Sequence, residues 1–296
     1  MTTAPSPPAA APDPATTLPQ APARIPGSFS LVLPAYNEEG NIEYVVRRAL
    51  ETLPTVVDDF EIIVVNDGSR DATPQIIDRL AAEDPRVKPV HQANQGYGGA
   101  VKAGFRASTG DYVMFMDADR QFDIADIRRL TPFVPAYDVV AGFRMERSDP
   151  LNRRINAEIF NVVVRILFGV HLRDLDCAFK IFRGDMLRSL DLTTSGALIN
   201  AEMQAKLRRS GATIEQVGVG HYPRIAGEAT GGSAKVILHA MGETVRLWRR
   251  MHRYQPPVST RREERPYFVL GDVLLAAGLL TAGVVAVKLL RWKRRG

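Results

Sequence analysis

Between Leu31 and Gly142 the chain alternates five short apolar runs with stretches of helical spacing, and that alternation fixes its fold class. The apolar runs are Leu31-Val32-Leu33, closed by Pro34, then Glu61 to Val65, Val87 to His91, Tyr112 to Met116 and Tyr137 to Gly142. Helical patterns lie between them at Asn41 to Leu53, Ala72 to Glu83, Gly98 to Ala107 and Asp126 to Phe133, with Asp71 placed as an N-cap. Strands that are apolar almost throughout are buried on both faces. The pattern therefore predicts an α/β fold, a mostly parallel sheet flanked by helices. Further on it predicts a helix from Asn156 to Phe168, a polar turn from Arg173 to Cys177, a strand from Ala178 to Phe182, a helix from Ala197 to Arg209 and a strand from Thr213 to Val219.

Ligands of an open α/β sheet gather at the carboxyl ends of its strands. One such end delivers Asp117-Ala118-Asp119-Arg120-Gln121 directly after Met116. Two acids one residue apart and a carboxamide two further on form an all-oxygen donor set for a hard divalent cation, Mg²⁺ or Mn²⁺. Taken alone, the motif also reads as an acidic turn capping the next helix. The first strand ends in Pro34-Ala35-Tyr36-Asn37-Glu38 and the second in Asn66-Asp67-Gly68-Ser69. Each has the chemistry of an ordinary turn. Together the three ends supply an aromatic face, carboxylates for a base or ribose, and a cation site, which is what a nucleoside diphosphate requires.

The 296 residues suffice for one large domain with appendages, and 45% apolar and 24% charged residues are ordinary for a globular protein. Much of the excess positive charge, a net +5, lies in the last fifty residues beside apolar segments. That pattern favours an anionic membrane surface over nucleic acid. The single cysteine, Cys177, excludes an internal disulfide, and its acidic neighbours Asp174 and Asp176 disfavour a thiolate, so it reads as structural. Residues 1–27, rich in Pro, Ala, Thr and Ser, read as a disordered tail and not as a secretory signal. The catalytic unit is expected over residues 28–233. Residues 234–265 hold a basic amphipathic helix and a linker: Ile237, Leu238, Met241, Val245 and Trp248 share a face, with Arg246, Arg249, Arg250 and Arg253 elsewhere. Such a helix lies in a membrane interface or turns its apolar face to a core. Residues 266–296 carry the apolar stretch Tyr267 to Leu290, broken by Asp272 and Lys288. Its charge-free core, Val273 to Val287, has 15 residues against the roughly 20 of a full span. It is expected to be one transmembrane helix, with an in-plane anchor as the alternative. Basic residues at both ends leave its orientation open.

Four segments in order, Pro34-Ala35-Tyr36-Asn37-Glu38-Glu39, Val65-Asn66-Asp67-Gly68-Ser69-Arg70-Asp71, Asn94-Gln95-Gly96 and Asp117-Ala118-Asp119-Arg120-Gln121, resemble glycosyltransferase family 2. Within that family the chain resembles the dolichol- or polyprenol-phosphate mannose and glucose synthases, from about Ser30 to about Lys235. The resemblance implies a GT-A fold, a nucleotide-sugar donor (GDP-mannose or UDP-glucose), Mg²⁺ or Mn²⁺, a polyprenyl phosphate acceptor, and a membrane-anchored enzyme with its catalytic domain in the cytoplasm. It implies that Pro34, Tyr36, Glu38, Val65 and Asp67 hold base and ribose. Asp117, Ala118 and Asp119 would face the diphosphate, and Asp117, Asp119 and Gln121 the metal. Arg144, after Val140-Ala141-Gly142, matches the family's Gly-x-Arg position, and Arg224 and Lys235 match a basic pair around the Gly-rich loop Ile225 to Ser233. The chain departs from the family's usual pattern with Asn66 in place of an Asp, Ala178 in place of a Gly, and a longer Arg224 to Lys235 spacing.

A lipid phosphate, with a second pKa of about 6, is already largely anionic at neutral pH. It can attack an anomeric carbon without a protein base, and direct displacement inverts that carbon. The protein must then hold two anions side by side, work suited to Arg–phosphate forks. Arg153 and Arg154 are candidates for the acceptor phosphate, and Asp119, Arg144, Arg154 and Arg224 form the expected catalytic set. Glu202 and His221 are further polar candidates. A hydroxyl acceptor would require a base, with Asp174 and Asp176 the first choices. A dinucleotide-dependent oxidoreductase is disfavoured because the turn from Pro34 to Gly40 lacks Gly-x-Gly-x-x-Gly. A non-catalytic nucleotide-binding subunit is disfavoured by the intact acid cluster.

Overall fold

Strand β1 (Ser28–Ala35) is buried along almost its whole length, as its run of apolar side chains demands. In this computed structural model, described over residues 24–145, 162–224 and 234–256, it lies near the centre of a seven-stranded sheet. On one side of it come β2 (Asp59–Asp67) and β3 (Val87–Gln92); on the other come β4 (Tyr112–Met116), β6 (Phe179–Arg183), β5 (Val139–Arg144) and β7 (Ile214–Val219), in that spatial order. Six of these strands point the same way. The exception is β6, inserted antiparallel between β4 and β5. Apolar runs specify burial and not direction, so this reversal is invisible to periodicity. The edge strand β3 holds Pro89, which has no N–H to offer a further neighbour.

Helices α1 (Ile42–Thr52), α2 (Thr73–Glu83) and α3 (Tyr97–Ala107) fall within two residues of the positions that their spacing predicts. The N-cap of α2 is Ala72, one residue after the Asp71 expected there, and the Asp71 carboxylate accepts from Thr73 N–H at 3.0 Å. The helix expected over Asp126 to Phe133 shortens to one α-turn, α4 (Ile127–Leu130), between 3₁₀ turns. Pro132 brings no N–H to that ladder, and the Thr131 hydroxyl donates to Arg128 O in its place. A helical run α5 covers residues 162–168 and is followed by α6 (Gly184–Arg188) and α7 (Ile199–Arg209). Between the sheet and the α3 face, Phe105, Phe115 and Phe182 pack with centroids 5.8 to 6.4 Å apart.

The last described helix, α8 (Ala234–Met251), settles one open alternative over its second half. Leu247 and Met251 are buried in the core, with Trp248 and Tyr254 packed against it, and Arg209 donates to Met251 O. This half turns its apolar stripe to the core and leaves Arg246, Arg249 and Arg250 exposed. No helix among the described residues is long and apolar enough to cross a membrane. The apolar segment 266–296, most of the 1–27 tail, the Gly-rich loop and Arg153 and Arg154 lie outside the described residues.

Candidate active site

Two loops at the carboxyl edge are laced together before any ligand is considered. Asn37, at φ +55°, donates its N–H to Ser69 Oγ at 3.0 Å and accepts from Arg70 N–H at 2.8 Å. Glu38 N–H donates to Thr73 Oγ1 at 2.8 Å, Glu39 N–H donates to Asp71 at 3.1 Å, and the Glu39 carboxylate accepts from Ala72 N–H at 2.9 Å. The acids Glu39 and Asp71 are therefore structural. Asn66, where the family often has a carboxylate, accepts from Ser69 N–H and places its amide nitrogen 3.1 Å from His91 Nδ1. Tyr36 is left 43% exposed at this edge, and the half-buried Glu38 carboxylate accepts from Asn41 Nδ2 at 2.7 Å. Pro34 is paired in register with Val65, and both side chains are buried. Val65 packs where α3 passes at Gly104, so it can offer a ligand its main chain alone. Asp67, also buried, accepts from Gln92 Nε2 at 2.7 Å and Gln95 N–H at 2.8 Å.

The β4 end brings the acid pair together. Asp119 accepts Gln121 N–H at 3.0 Å through Oδ1 and Arg224 Nη2 at 2.6 Å through Oδ2. Arg224 also reaches Gln121 Oε1 at 3.3 Å, and Gln121 and Tyr222 exchange main-chain and side-chain bonds. Burial first, and the Asp119 charge second, push the Asp117 carboxyl up to about 7, against a hydrogen bond from Tyr97. Burial also raises the Glu38 carboxyl, with the Asn41 hydrogen bond opposing and the charges of Asp119 and Arg224 both felt there. Between the acids and Gln121, Arg120 adopts φ +61° and stacks its guanidinium 3.9 Å from the Tyr44 ring. A non-glycine residue held there is local strain at the site.

The donor set fits a divalent cation. Asp117 Oδ1 is enclosed and has no hydrogen-bond partner, beside a second carboxylate. Buried acceptors are rarely left so, and a cation is one explanation. Among the described residues no group of three or more His, Cys, Asp or Glu converges. Mg²⁺ does not need one, since one or two carboxylates plus substrate phosphates suffice.

Arg144, at the end of β5, forms a fork on Asp174: Nε to Oδ2 at 2.6 Å and Nη2 to Oδ1 at 2.8 Å. Burial disfavours the Arg144 charge, but the Asp174 bonds and charge outweigh it and raise the guanidinium further. The sequence offered Arg144 as a phosphate ligand and Asp174 as a base without revealing that they hold each other. Cys177 is fully buried and its thiol is pushed up to about 12, mainly by burial, as a structural cysteine should be. Glu202 is corrected: it is fully buried and accepts from Thr193 N–H and Oγ1, Thr194 N–H and Oγ1, and Lys206, which makes it a structural knot and not a site residue. His221 packs 5.4 Å from Phe122, just behind Gln121. Ala118 is buried, and Lys235 lies in the first turn of α8, its side chain outside the described residues.

Sequence reasoning missed Tyr97 and Lys180. Burial first, then the neighbouring Asp117 charge, raises the Tyr97 phenol well above 10.0. Its signal was the run Gly96-Tyr97-Gly98-Gly99. Gly98 N–H donates to Ser195 O at 2.8 Å, and a Cβ there would sit 2.8 Å from Ser195 C. That glycine serves close packing, and its N–H is not available to a dinucleotide phosphate.

A mostly parallel sheet with an acid pair at the end of β4 and laced loops after β1 and β2 defines the class, an α/β protein whose ligand edge is the carboxyl end of its strands. The chain belongs to glycosyl transferase family 2, whose model matches residues 30–200. It is 33% identical over 265 residues to "Glycosyltransferase AglD" of Haloferax volcanii, covering 85% of this chain and 41% of that protein. It is 33% identical over 164 residues to the undecaprenyl-phosphate 4-deoxy-4-formamido-L-arabinose transferase of Pseudomonas fluorescens, covering 54% of this chain and 48% of that one. The chain thus spans about half or less of these relatives. Glucosyl-3-phosphoglycerate synthase from Mycobacterium tuberculosis, crystallised with Mn²⁺, UDP-glucose and phosphoglyceric acid, shares the fold: TM-score 0.60 at 19% identity, over 83% of this chain and 89% of that one.

Proposed function

We propose that this protein transfers a hexose from a nucleotide-diphosphate sugar to a polyprenyl phosphate, with inversion, giving a polyprenyl-phosphate hexose. The observation that carries the reading is the cluster Asp117, Asp119, Gln121 and Arg224 at the edge where Tyr36, Glu38 and Asp67 also end. Lipid-phosphate transferases among the relatives support the acceptor class. Mannose from GDP-mannose and glucose from UDP-glucose are the proposed donors. Mg²⁺ or Mn²⁺, held by Asp117, Asp119 and Gln121, would neutralise charge on the departing nucleoside diphosphate.

The chain's own residues do the rest. Tyr36 and Asp67 hold base and ribose on the laced, preorganised loops. Arg224, already within 2.6 Å of Asp119, is placed to meet the diphosphate. Arg144 keeps its charge at all working pH values and is held in one orientation by Asp174. Arg153 and Arg154 are proposed for the acceptor phosphate, and residues 266–296 for the membrane anchor that leaves the catalytic domain in the cytoplasm. A hydroxyl acceptor is the weaker reading, because its first candidate base, Asp174, is engaged by both arms of a guanidinium.

The test is a donor panel. Purified protein in detergent receives Mg²⁺ or Mn²⁺, a short polyprenyl phosphate, and radiolabelled GDP-mannose, UDP-glucose or UDP-GlcNAc. Label entering the organic phase with GDP-mannose or UDP-glucose is expected. Donor cleavage without lipid product would move the assignment to a hydroxyl acceptor, and no turnover of any donor would sink the proposal.

A further inference from the structure

The antiparallel strand carries a buried charge that the chemistry above does not use. Lys180, the second residue of β6, is fully buried. Its Cα pairs with Phe115 of β4 on one side and with Ala141 of β5 on the other. Those neighbours run on within two and three residues to Asp117 and Arg144. The Lys180 ammonium donates to Leu175 O at 3.1 Å and to Cys177 O. It thereby ties down the turn that starts at Asp174, the carboxylate that holds the Arg144 fork.

Burying an ammonium is expensive, and an apolar side chain of the same length would fill the space at no such cost. Burial accordingly lowers the lysine's hold on its proton, while the charges of Asp174 and Asp176 oppose that shift. The same charge is felt at Asp117, where it favours the ionised carboxylate. A cation that satisfies two carbonyls of one turn and also lies in the field of the acid pair links the two halves of the site through a single strand.

We propose that Lys180 is a positioning residue, which fixes the 174–177 turn so that Asp174 presents Arg144 and places its ammonium on the strand next to the one that ends in the Asp117–Asp119 pair. The inference deepens the proposed function and rests on it for the role of Arg144. A positive charge near the acids weakens their intrinsic hold on a divalent cation.

The experiment compares Lys180→Met with Lys180→Arg in the full chain. Circular dichroism establishes folding, and electron paramagnetic resonance follows Mn²⁺ titration without nucleotide. In Lys180→Met we expect Mn²⁺ to bind several-fold more tightly, because a like charge that repels the cation through the low-dielectric interior has been removed. Turnover is expected to fall roughly 10–100-fold through kcat, the size seen when a group that supports a site residue is lost. Lys180→Arg should keep the wild-type Mn²⁺ affinity and recover part of the turnover. Unchanged or weaker Mn²⁺ binding in a folded Lys180→Met protein overturns the proposal, since a packing role predicts no gain. If Lys180→Met does not accumulate folded, Lys180→Gln, which keeps a donor and loses the charge, carries the same comparison. If wild-type protein consumes no donor, the functional reading fails, while the Mn²⁺ comparison still decides the role of Lys180.

Discussion

Arg224 Nη2 lies 2.6 Å from Asp119 Oδ2, so a guanidinium takes the carboxylate oxygen that a divalent cation would also seek. The two cannot share it without moving. Arg224→Gln is therefore expected to bind Mn²⁺ more tightly in the absence of nucleotide and to turn over about 10²-fold more slowly, the scale of losing one charge-stabilising donor. Titration of Mn²⁺ against both proteins checks the first half. Weaker binding in the variant would mean that Arg224 helps to shape the cation site and does not compete for it.

Asp119→Ala should abolish turnover while the protein stays folded, because the chain's other contacts at the edge do not pass through that carboxylate. Loss of the native circular dichroism spectrum would instead make Asp119 structural. Asp117→Asn separates the same two roles differently. Asp117 is raised from 3.8 to about 7, so the stability linked to its proton is complete below about 4 and is lost as pH rises through 7. The amide carries no such penalty. At pH 8 the variant should melt about 2–4 °C above wild type, for roughly 1 kcal/mol relieved, while losing Mn²⁺ binding. An equal gain at pH 4 would show that ionisation is not its source.

The strands and the three acidic ends were legible because apolar runs report burial and because turn chemistry is local. Pro34, Tyr36, Asp67 and the 117–121 motif were found in this way. The direction of β6 was not, since Phe179 to Arg183 reads the same up or down the sheet. Nor was the Arg144–Asp174 fork, whose partners are thirty residues apart and meet only after β6 is inserted. Glu202 failed for the opposite reason: an acid on an otherwise polar helix looks available until Thr193 and Thr194 fold over it.

Glu202 gathers five different donors in a fully buried position, and they outweigh a burial that would by itself raise its carboxyl, so the group ends lower than usual. Removing one partner of a buried pair costs about 3–5 kcal/mol because the other is left uncompensated. Glu202→Ala should lose that much stability, measured by urea unfolding, and strand Lys206. Glu202→Gln should lose less. A Glu202→Ala protein of wild-type stability with lost activity would return this residue to the candidate site.

Glu61 lies near the amino end of β2, at the opposite edge of the sheet from the candidate site. It is buried and accepts from Ser30 Oγ at 2.6 Å, Thr109 N–H at 2.7 Å, Thr109 Oγ1 at 2.8 Å and Lys88. Burial alone would raise its carboxyl, but these donors overcome it and lower the group from 4.5 to about 2. A depressed carboxyl contributes its stability above the unfolded value and loses it as pH falls through the folded one. The window here runs from about 4.5 down to about 2. The full shift corresponds to about 3 kcal/mol, and solvent screening on the exposed Lys88 side brings this to about 2 kcal/mol. Glu61→Gln should therefore be about 2 kcal/mol less stable than wild type at pH 7, and the gap should close as pH falls to about 2. Denaturant melts at pH 7, 4 and 2.5 would show this, and a gap that stays constant across the three would mean that packing, and not the Glu61 charge, is what the variant lost.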